Sequence, residues 1–389
     1  MAPAVATAGA VAGAFAARAG GQALVARTER RLNPVAMSPP YVVSSRARDV
    51  HARATVVDLH ADPLLWGRDL LVRGTRGHVD VPRLVEGNVA LTVFGVATKS
   101  PRHLNIERND DRSDDITFLA LGRGWPPGTW RSLTARALLM ARNLNETAER
   151  SAGALTVIRS ASELDAFLAR RVETPALTGG LLAIEGAHAL GEELAGLDAI
   201  DAAGFRMVGP AHFFDNAYAG SAHGVEKGGL TALGRELVAQ LEGRSMLVDL
   251  AHSSAQTIDD VLSLATRPVV ASHTGVCGVC ENARNLTDDQ LRGIAATGGI
   301  VGIGFWPTAC GGDDVASIAR SIAYAVDVAG ADHVGLGSDF DGGVAVPFDA
   351  SGMALVTDAL LEEGLDEETI GKVLGGNALR VLRATLPTI

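Results

Sequence analysis

Ser245-Met246-Leu247-Val248-Asp249-Leu250-Ala251-His252 is an apolar run closed by a histidine, and Pro268-Val269-Val270-Ala271-Ser272-His273 repeats the form after a helix-compatible stretch from Ala255 to Ala265. Strand, helix and strand in that order make the unit of a parallel sheet, because parallel neighbours need a crossover connection. Runs that are nearly continuous in apolar residues, rather than cleanly alternating, are what strands buried on both faces require.

Outward from this unit the pattern recurs along most of the chain. Eight strand candidates stand out: Thr55 to His60, Asn88 to Val96, Leu181 to Glu185, Phe205 to His212, Ser245 to His252, Pro268 to His273, Gly299 to Phe305 and His333 to Asp339. Helices are predicted at Leu133 to Arg150, Leu190 to Ala203, Leu230 to Glu242, Ala255 to Ala265, Asp288 to Ala296 and Asp314 to Ala329, with two more after the last strand. Gly228 and Gly229 precede the third of these and Gly243 supplies its stop. Eight strands in βα alternation predict an α/β fold of the (β/α)8 TIM-barrel type. Barrels of this class run from about 250 to over 400 residues, so residues 51–389 are expected to form one barrel domain. The stretch from Lys99 to Asn143 breaks the rhythm with charges, Gly and Pro, and is predicted to be an excursion over the barrel that covers the site.

Composition agrees. Of the 389 residues 47% are hydrophobic and 20% charged, enough apolar surface for a large core. Aromatics are scarce at 4%, so Ala, Val, Leu and Ile must fill it. A net charge of -11 disfavours nucleic acid as a partner, since phosphate backbones are repelled. Cys277, Cys280 and Cys310 are too few for a disulfide scaffold. The single C-x-x-C lacks the second pair that a structural zinc site needs, so small loop residues are the preferred reading.

Residues 1–50 form an N-terminal arm with two open readings. Met1 to Ala17 is uncharged and Ala-rich, followed by Arg18, Arg27, Arg30 and Arg31 and then Pro34, Pro39 and Pro40. A signal peptide carries its basic residues before the apolar stretch, and Ala contributes little to insertion. The segment is either a degenerate, signal-like membrane anchor or a flexible, disordered arm. The sequence leaves localisation open between cytoplasmic and membrane-associated through the N-terminal segment.

The ionisable residues fall where the strands end. His60 closes the first strand with Asp62 just beyond, Glu185 the third, His212 the fourth, His252 the fifth, His273 the sixth and Asp339 the eighth. In a barrel those ends converge on the face where active sites are built. Singly, each His reads as a satisfied core or surface residue. Jointly, buried imidazoles and carboxylates need a compensating charge, and a divalent metal supplies it. Imidazole nitrogen with carboxylate oxygen suits Zn2+ and tolerates Mn2+ or Co2+. Five ligands exceed one tetrahedral site, so two metals are expected, with a carboxylate such as Glu185 as the bridge. Two ions about 3.5 to 4 Å apart can share a hydroxide that attacks a carbonyl at neutral pH.

These residues carry a resemblance. Val57-Asp58-Leu59-His60-Ala61-Asp62, Ala183-Ile184-Glu185-Gly186, Ala211-His212, Asp249-Leu250-Ala251-His252-Ser253, Ser272-His273, Arg284-Asn285-Leu286 and Gly337-Ser338-Asp339-Phe340-Asp341-Gly342 resemble the ordered motifs of the membrane dipeptidase (renal dipeptidase) family. The closing Gly376-Asn377-Ala378-Leu379-Arg380-Val381-Leu382 is similar to that family's C-terminal helix, and the resemblance spans about residues 50 to 385. It implies that His60 and Asp62 bind one zinc, that His252 and His273 bind the other, and that Glu185 bridges them, two Zn2+ per chain. It further implies that His212 polarises the scissile carbonyl and that Arg284 holds the substrate carboxylate with a bidentate fork. Asp339 is either the proton carrier beside the metals or the orienter of a ligating His.

The sequence departs from the family in places. Pro210-Ala211-His212 stands where some members have Leu-Thr-His, so the loop presenting His212 is expected to differ. His223 is a candidate substrate contact, with a solvated loop histidine as the plainer reading. No hydrophobic tail follows a polar spacer before Ile389, so a lipid anchor of the vertebrate type is not expected there. The resemblance implies a zinc-dependent dipeptidase acting on small dipeptides, tolerant of a C-terminal D-residue and dimeric by analogy. Two alternatives remain: another binuclear amidohydrolase cleaving a lactone or cyclic amide, and a catalytically silent barrel that binds.

Overall fold

The structure, a computed structural model, describes residues 3–191 and 193–388. Nine parallel strands form one sheet: β1 (Val56–Ala61), β2 (Val89–Ala97), β3 (Leu155–Val157), β4 (Thr178–Glu185), β5 (Phe205–Val208), β6 (Leu247–Val248), β7 (Val270–Thr274), β8 (Ile300–Ile303) and β9 (Val334–Leu336). The order is β6-β5-β4-β2-β1-β9-β8-β7, so eight strands neighbour one another in chain order, allowing for β3. A parallel bridge between Asp249 and Val270, with Leu250 N–H donating to the Val270 carbonyl at 2.6 Å, joins the two ends and closes the barrel. The eight predicted strands are the eight barrel strands. Strand β3 was not predicted; it pairs with Thr178–Gly180 on β4, continuing below the edge that β5 occupies higher up.

One cluster of buried side chains fills the barrel: Val57 and Leu59, Leu91 and Val93, Leu181 and Ala183, Met207, Leu247, Val270 and Ile300. The final helix, Asn377–Thr385, closes its lower end and adds Ala378, Val381 and Leu382. The opposite strand faces, including Val56, Phe94, Ile184, Val208 and Ile303, pack against the surrounding helices. Most helices of that outer layer with Ser, Thr or Asp at the N-cap begin with that side chain accepting an early backbone N–H, as in Ser254 to Thr257 and Thr287 to Gln290, whereas Asp115 before Ile116 makes no such bond.

Of the register shifts in the sheet, two fall at histidines of the expected metal cluster. The register of β1 against β2 slips between Asp58 and Ala61, and that of β7 against β8 slips between Ala271 and Thr274. Such bulges insert an extra residue and re-aim the side chain that follows. Val57, Leu59 and Val270 face the interior, so strict alternation would turn His60 outward and spoil the aim of His273; each slip corrects it.

The predicted excursion holds the helix Ile116–Arg123 and is tied down by Arg136. This buried guanidinium donates to the Thr129, Thr98 and Trp130 carbonyls, to Asp114 Oδ2 and to Thr117 Oγ1, at 2.6–2.9 Å. All five of its N–H groups are thereby satisfied.

The arm is helical over Pro3–Leu32 and again over Ser45–Arg53. Met1 and Ala2 lie outside the described residues, and for residues 3–17 only the backbone is described, so the anchor reading of that stretch falls outside them. Among the described residues no helix is long and apolar enough to cross a membrane. The first helix docks on the barrel through Glu29, which is buried between Arg68 and Arg76; Arg68 also pairs with Asp341 beyond β9. Farther along the same helix, Gly21 meets Gly122 of the excursion helix so closely that a Cβ on Gly21 would stand 2.5 Å from the Gly122 carbonyl oxygen. The chain leaving the helix pairs with the far side of the β9 loop, where the Val35–Val346 bridge forms.

Candidate metal centre and catalytic site

Glu185 ends β4, beside Ala97 of β2. Its Oε2 stands 3.3 Å from His252 Nε2, 3.4 Å from His212 Nε2, 3.6 Å from His60 Nε2 and 3.8 Å from His273 Nε2. His60 Nε2 is also 3.3 Å from Asp62 Oδ2, and His252 Nε2 is 2.9 Å from His273 Nε2. Among the described residues three buried groups have the spacing to hold a metal ion: His60, Glu185 and His273; Glu185, His212 and His252; and His60, Asp62 and Asp339. Residues scattered over most of the barrel sequence therefore meet around one carboxylate.

The strand ends are shorter than predicted. β5 stops at Val208, β6 at Val248 and β9 at Leu336, so His212, His252 and Asp339 sit on the loops that follow. His252 and Asp339 both take left-handed backbone, φ 63° and 59°, which is uncommon for non-glycine residues and concentrates at functional sites. Gly95 on β2 faces the pair His60 and Asp62, and a side chain there would collide with both.

Each bulge is clasped by a carboxylate. Asp58 Oδ1 accepts the His60 and Ser338 backbone N–H groups at 3.3 and 2.9 Å, and its Oδ2 accepts the Ser338 hydroxyl at 2.6 Å. Asp249 repeats this with the Ala251 and Ser272 N–H groups at 3.1 and 2.8 Å and the Ser272 hydroxyl at 2.6 Å. Buried N–H groups need partners, and these carboxylates provide them. Because Ser272 gives its proton to Asp249, it accepts from His273 Nδ1 at 2.9 Å, which leaves His273 Nε2 with its lone pair toward Glu185.

Burial, followed by neighbouring cationic groups, drives the His212, His252 and His273 rings well below their ordinary pKa, so all three are neutral and able to ligate. Burial also pulls His60 down, but Asp62, Glu185 and Asp339 outweigh it and hold the ring at about 10. Glu185 is raised well above the carboxylate range by burial and then by Asp62, and Asp339 reaches about 7 chiefly by burial. Three buried carboxylates crowded together call for positive charge.

The donor set fits a divalent metal. A four-coordinate ion with nitrogen and oxygen ligands at roughly 2.0–2.1 Å has ligand–ligand edges of about 3.4 Å. The spacings around Glu185 Oε2 lie between 3.3 and 3.8 Å. Asp62 Oδ1 is in addition buried without a hydrogen-bond partner.

His223 is buried rather than solvated: its Nδ1 stands 2.8 Å from the Ile106 carbonyl of the excursion, and its ring lies 5.3 Å from that of His252. Arg284 lies behind His273, with Nη2 donating to the His273 carbonyl and its guanidinium 5.8 Å from the Trp306 ring. Among the described residues that is the one hydrogen bond of its guanidinium, and burial lowers it to about 10 against the pull of Asp339, Asp249 and Glu185. Arg284 lines a small cavity of about 130 Å³ rather than the large one above the metal cluster. Asp58, Asp249, Ser272 and Ser338 stand within the quoted motifs but have no role legible in sequence, and Gly95 lies outside those motifs. No motif singles out His188, whose ring stacks 6.5 Å from His212 and whose two nitrogens are buried without hydrogen-bond partners among the described residues. The three cysteines are free thiols.

The large cavity, about 940 Å³, opens over Asp62, Glu185, His212, His252 and Asp339. Its far walls come from the excursion and from the first helix.

Residues 44–387 match the model of the membrane dipeptidase family, peptidase family M19. Dipeptidase aclJ of Aspergillus oryzae is 36% identical over 219 residues, 54% of this chain and 52% of that one. Among solved structures, the dipeptidase AC, a metallopeptidase, superposes with a TM-score of 0.71 at 28% identity, covering 86% of this chain and 99% of that chain. A metallopeptidase of Rhodobacter sphaeroides, liganded with a phosphinate mimic of the dipeptide L-Ala-D-Ala, gives 0.69 at 27% identity, covering 85% and 99%. With the barrel and the histidine–carboxylate cluster at its mouth, these matches show that the chain belongs to the membrane dipeptidase family of metal-dependent peptide-bond hydrolases.

Proposed function

We propose that this protein is a dipeptidase using two zinc ions per chain, with His60 and Asp62 holding one, His252 and His273 the other, and Glu185 spanning both. The observation that carries the reading is the approach of four imidazole nitrogens to the single oxygen Glu185 Oε2. Bound there, the ions supply Lewis acidity that activates water and polarises the peptide carbonyl.

The side chains do the rest. Neutral His212 donates to the carbonyl oxygen as negative charge develops on it. The Asp339 carboxylate takes the proton of the attacking water as the carbon–oxygen bond forms. It returns that proton to the amine nitrogen as the carbon–nitrogen bond breaks, so one group serves as base and then acid. The resemblance assigns the substrate carboxylate to Arg284; to meet it there, the free part of the fork turns from the small cavity behind His273 toward the metals, which would restrict the reaction to short peptides. Acceptance of a C-terminal D-residue is supported by the L-Ala-D-Ala mimic bound to the Rhodobacter sphaeroides relative.

The test is turnover of a dipeptide panel, with L- and D-residues at the second position, before and after chelation. Turnover that survives chelation would remove the metal mechanism, and cleavage of long peptides alone would remove the substrate assignment.

A further inference from the structure

The first helix, Pro3–Leu32, precedes the residues matched by the family model, which begin at 44, yet it forms a wall of the cavity over the metal cluster. Its docking is specific: the buried Glu29 is held by Arg68 and Arg76, and the Gly21–Gly122 approach seats it against the excursion helix. The wall is therefore a fixed part of the site and not a loose cover.

What the two helices and the loop before the second present is largely apolar and open, with Thr28 and Arg31 beside the apolar groups. Leu24 is 65% exposed, Phe118 57%, Leu104 43% and Leu32 38%, and all four line this one cavity. Scattered exposed hydrophobic residues need no explanation, but a cluster around one concave site marks a binding surface. The cavity's ~940 Å³ lies near the top of the roughly 300–1,000 Å³ usual for small-molecule sites, more room than the smallest dipeptides need. Two arginines line the cleft: Arg102 is engaged, its guanidinium 5.0 Å from the Phe118 ring and 3.4 Å from Asp115, whereas Arg31 has no ion pair among the described residues, so a Glu-Ala substrate tests charge against apolar contact.

We propose that the cleft between the first helix and the excursion is a side-chain subsite that selects dipeptides bearing a large apolar residue, such as leucyl or phenylalanyl dipeptides, over alanyl ones. The proposal rests on the dipeptidase reading above and names its substrate class. Leu24 and Phe118 bury apolar area against the substrate side chain, while the residues of the metal cluster hold the peptide group that all dipeptides share. Discrimination comes from that contact, and a difference of several methylene groups in an apolar pocket supports about tenfold or more in kcat/KM.

The experiment compares kcat/KM for Ala-Ala, Leu-Ala, Ala-Leu, Phe-Ala, Ala-Phe and Glu-Ala on the zinc-loaded full chain, and repeats it with Leu24→Ser and Phe118→Ser. The readout is the ratio of apolar to Ala-Ala specificity, which does not depend on the fraction of active enzyme. Inhibition by phosphinate isosteres carrying a methyl or an isobutyl group gives the same ratio without turnover. The expected ratio is about tenfold or more in the unaltered protein and falls at least about fivefold in both variants. A ratio near one, a preference for Glu-Ala, or a ratio unmoved by both substitutions overturns the subsite. No turnover of any dipeptide overturns the dipeptidase reading beneath it, a result distinct from a flat panel.

Discussion

The Ser272 hydroxyl donates to Asp249 Oδ2 at 2.6 Å while standing 2.9 Å from His273 Nδ1, so a carboxylate on β6's extension sets the tautomer of a ring on β7. The barrel's closure and the readiness of one metal ligand thus depend on the same hydrogen bonds. Asp58 and Ser338 make the equivalent clasp between β1 and the end of β9, immediately before Asp339.

Removing the hydroxyl tests this coupling. Ser272→Ala should lower zinc affinity about 10–100-fold, the usual loss when the outer partner of a ligating His is removed. The metal-free melting temperature should change much less, and Ser272→Thr should restore most of the affinity. Zinc competition with a chromogenic chelator measures it; equal affinity in all three proteins would show that the clasp does not prepare His273.

Arg284 offers a second test. Arg284→Lys keeps the charge but loses the planar fork, so KM for dipeptides should rise at least about tenfold with a smaller change in kcat. Amidated dipeptides, which lack the carboxylate, should lose their disadvantage against free ones in this variant. A kcat effect alone would place Arg284 in support of His273 only.

Seating of the first helix rests on a contact that admits no side chain. Gly21→Val puts a branched group where the Gly122 carbonyl oxygen stands 2.5 Å from the Cβ position. Overpacking of this kind costs about 1–3 kcal/mol, and displacement of the helix should expose it to limited proteolysis near Arg18 and Arg27. The substitution should also reduce the apolar-to-alanyl ratio. Unchanged proteolysis and an unchanged ratio would show that the helix does not depend on this approach.

An acid-side prediction comes from Asp349, well away from the metal cluster. Burial raises this carboxyl, but hydrogen bonds from Ser351 and Arg83 and the charge of Arg83 outweigh it and hold it below the ordinary 3.8. A carboxylate with a depressed folded-state pKa contributes stability above its unfolded pKa and loses it as pH falls through the folded value. Asp349→Asn should therefore be less stable than the unaltered chain at pH 5 to 7, and the gap should shrink as pH drops below about 3.8. Urea unfolding of both proteins across that range measures it, and a gap independent of pH would contradict the assignment.

Much of the barrel was legible because its strands are apolar runs punctuated by glycine and by capped helices; Leu133–Arg150 and Asp288–Ala296 fall where the pattern predicts them. β3 was not legible, since Leu155-Thr156-Val157 is too short to show a period. The metal cluster could be read from residue types at strand ends, but its geometry could not: the slips at Asp58 and Ala271 are invisible to a period of two, and so are the clasps that accompany them. His223 read as a solvated loop residue because nothing in Gly220-Ser221-Ala222-His223-Gly224 announces the excursion folding over it. The first helix read as anchor or loose arm because its Ala and Gly content hides a single buried acid, Glu29, whose partners lie far along the chain.

The central claim is that Glu185 spans two ions, and metal content measured together with turnover tests it most directly. Zinc added back to chelated protein should restore dipeptide hydrolysis along a curve that levels at about two equivalents per chain. Glu185→Gln should retain fewer ions and lose more than about a hundredfold in turnover, beyond the loss typical of an outer partner. Full activity in the chelated protein, or two zinc ions retained by Glu185→Gln, would contradict the account.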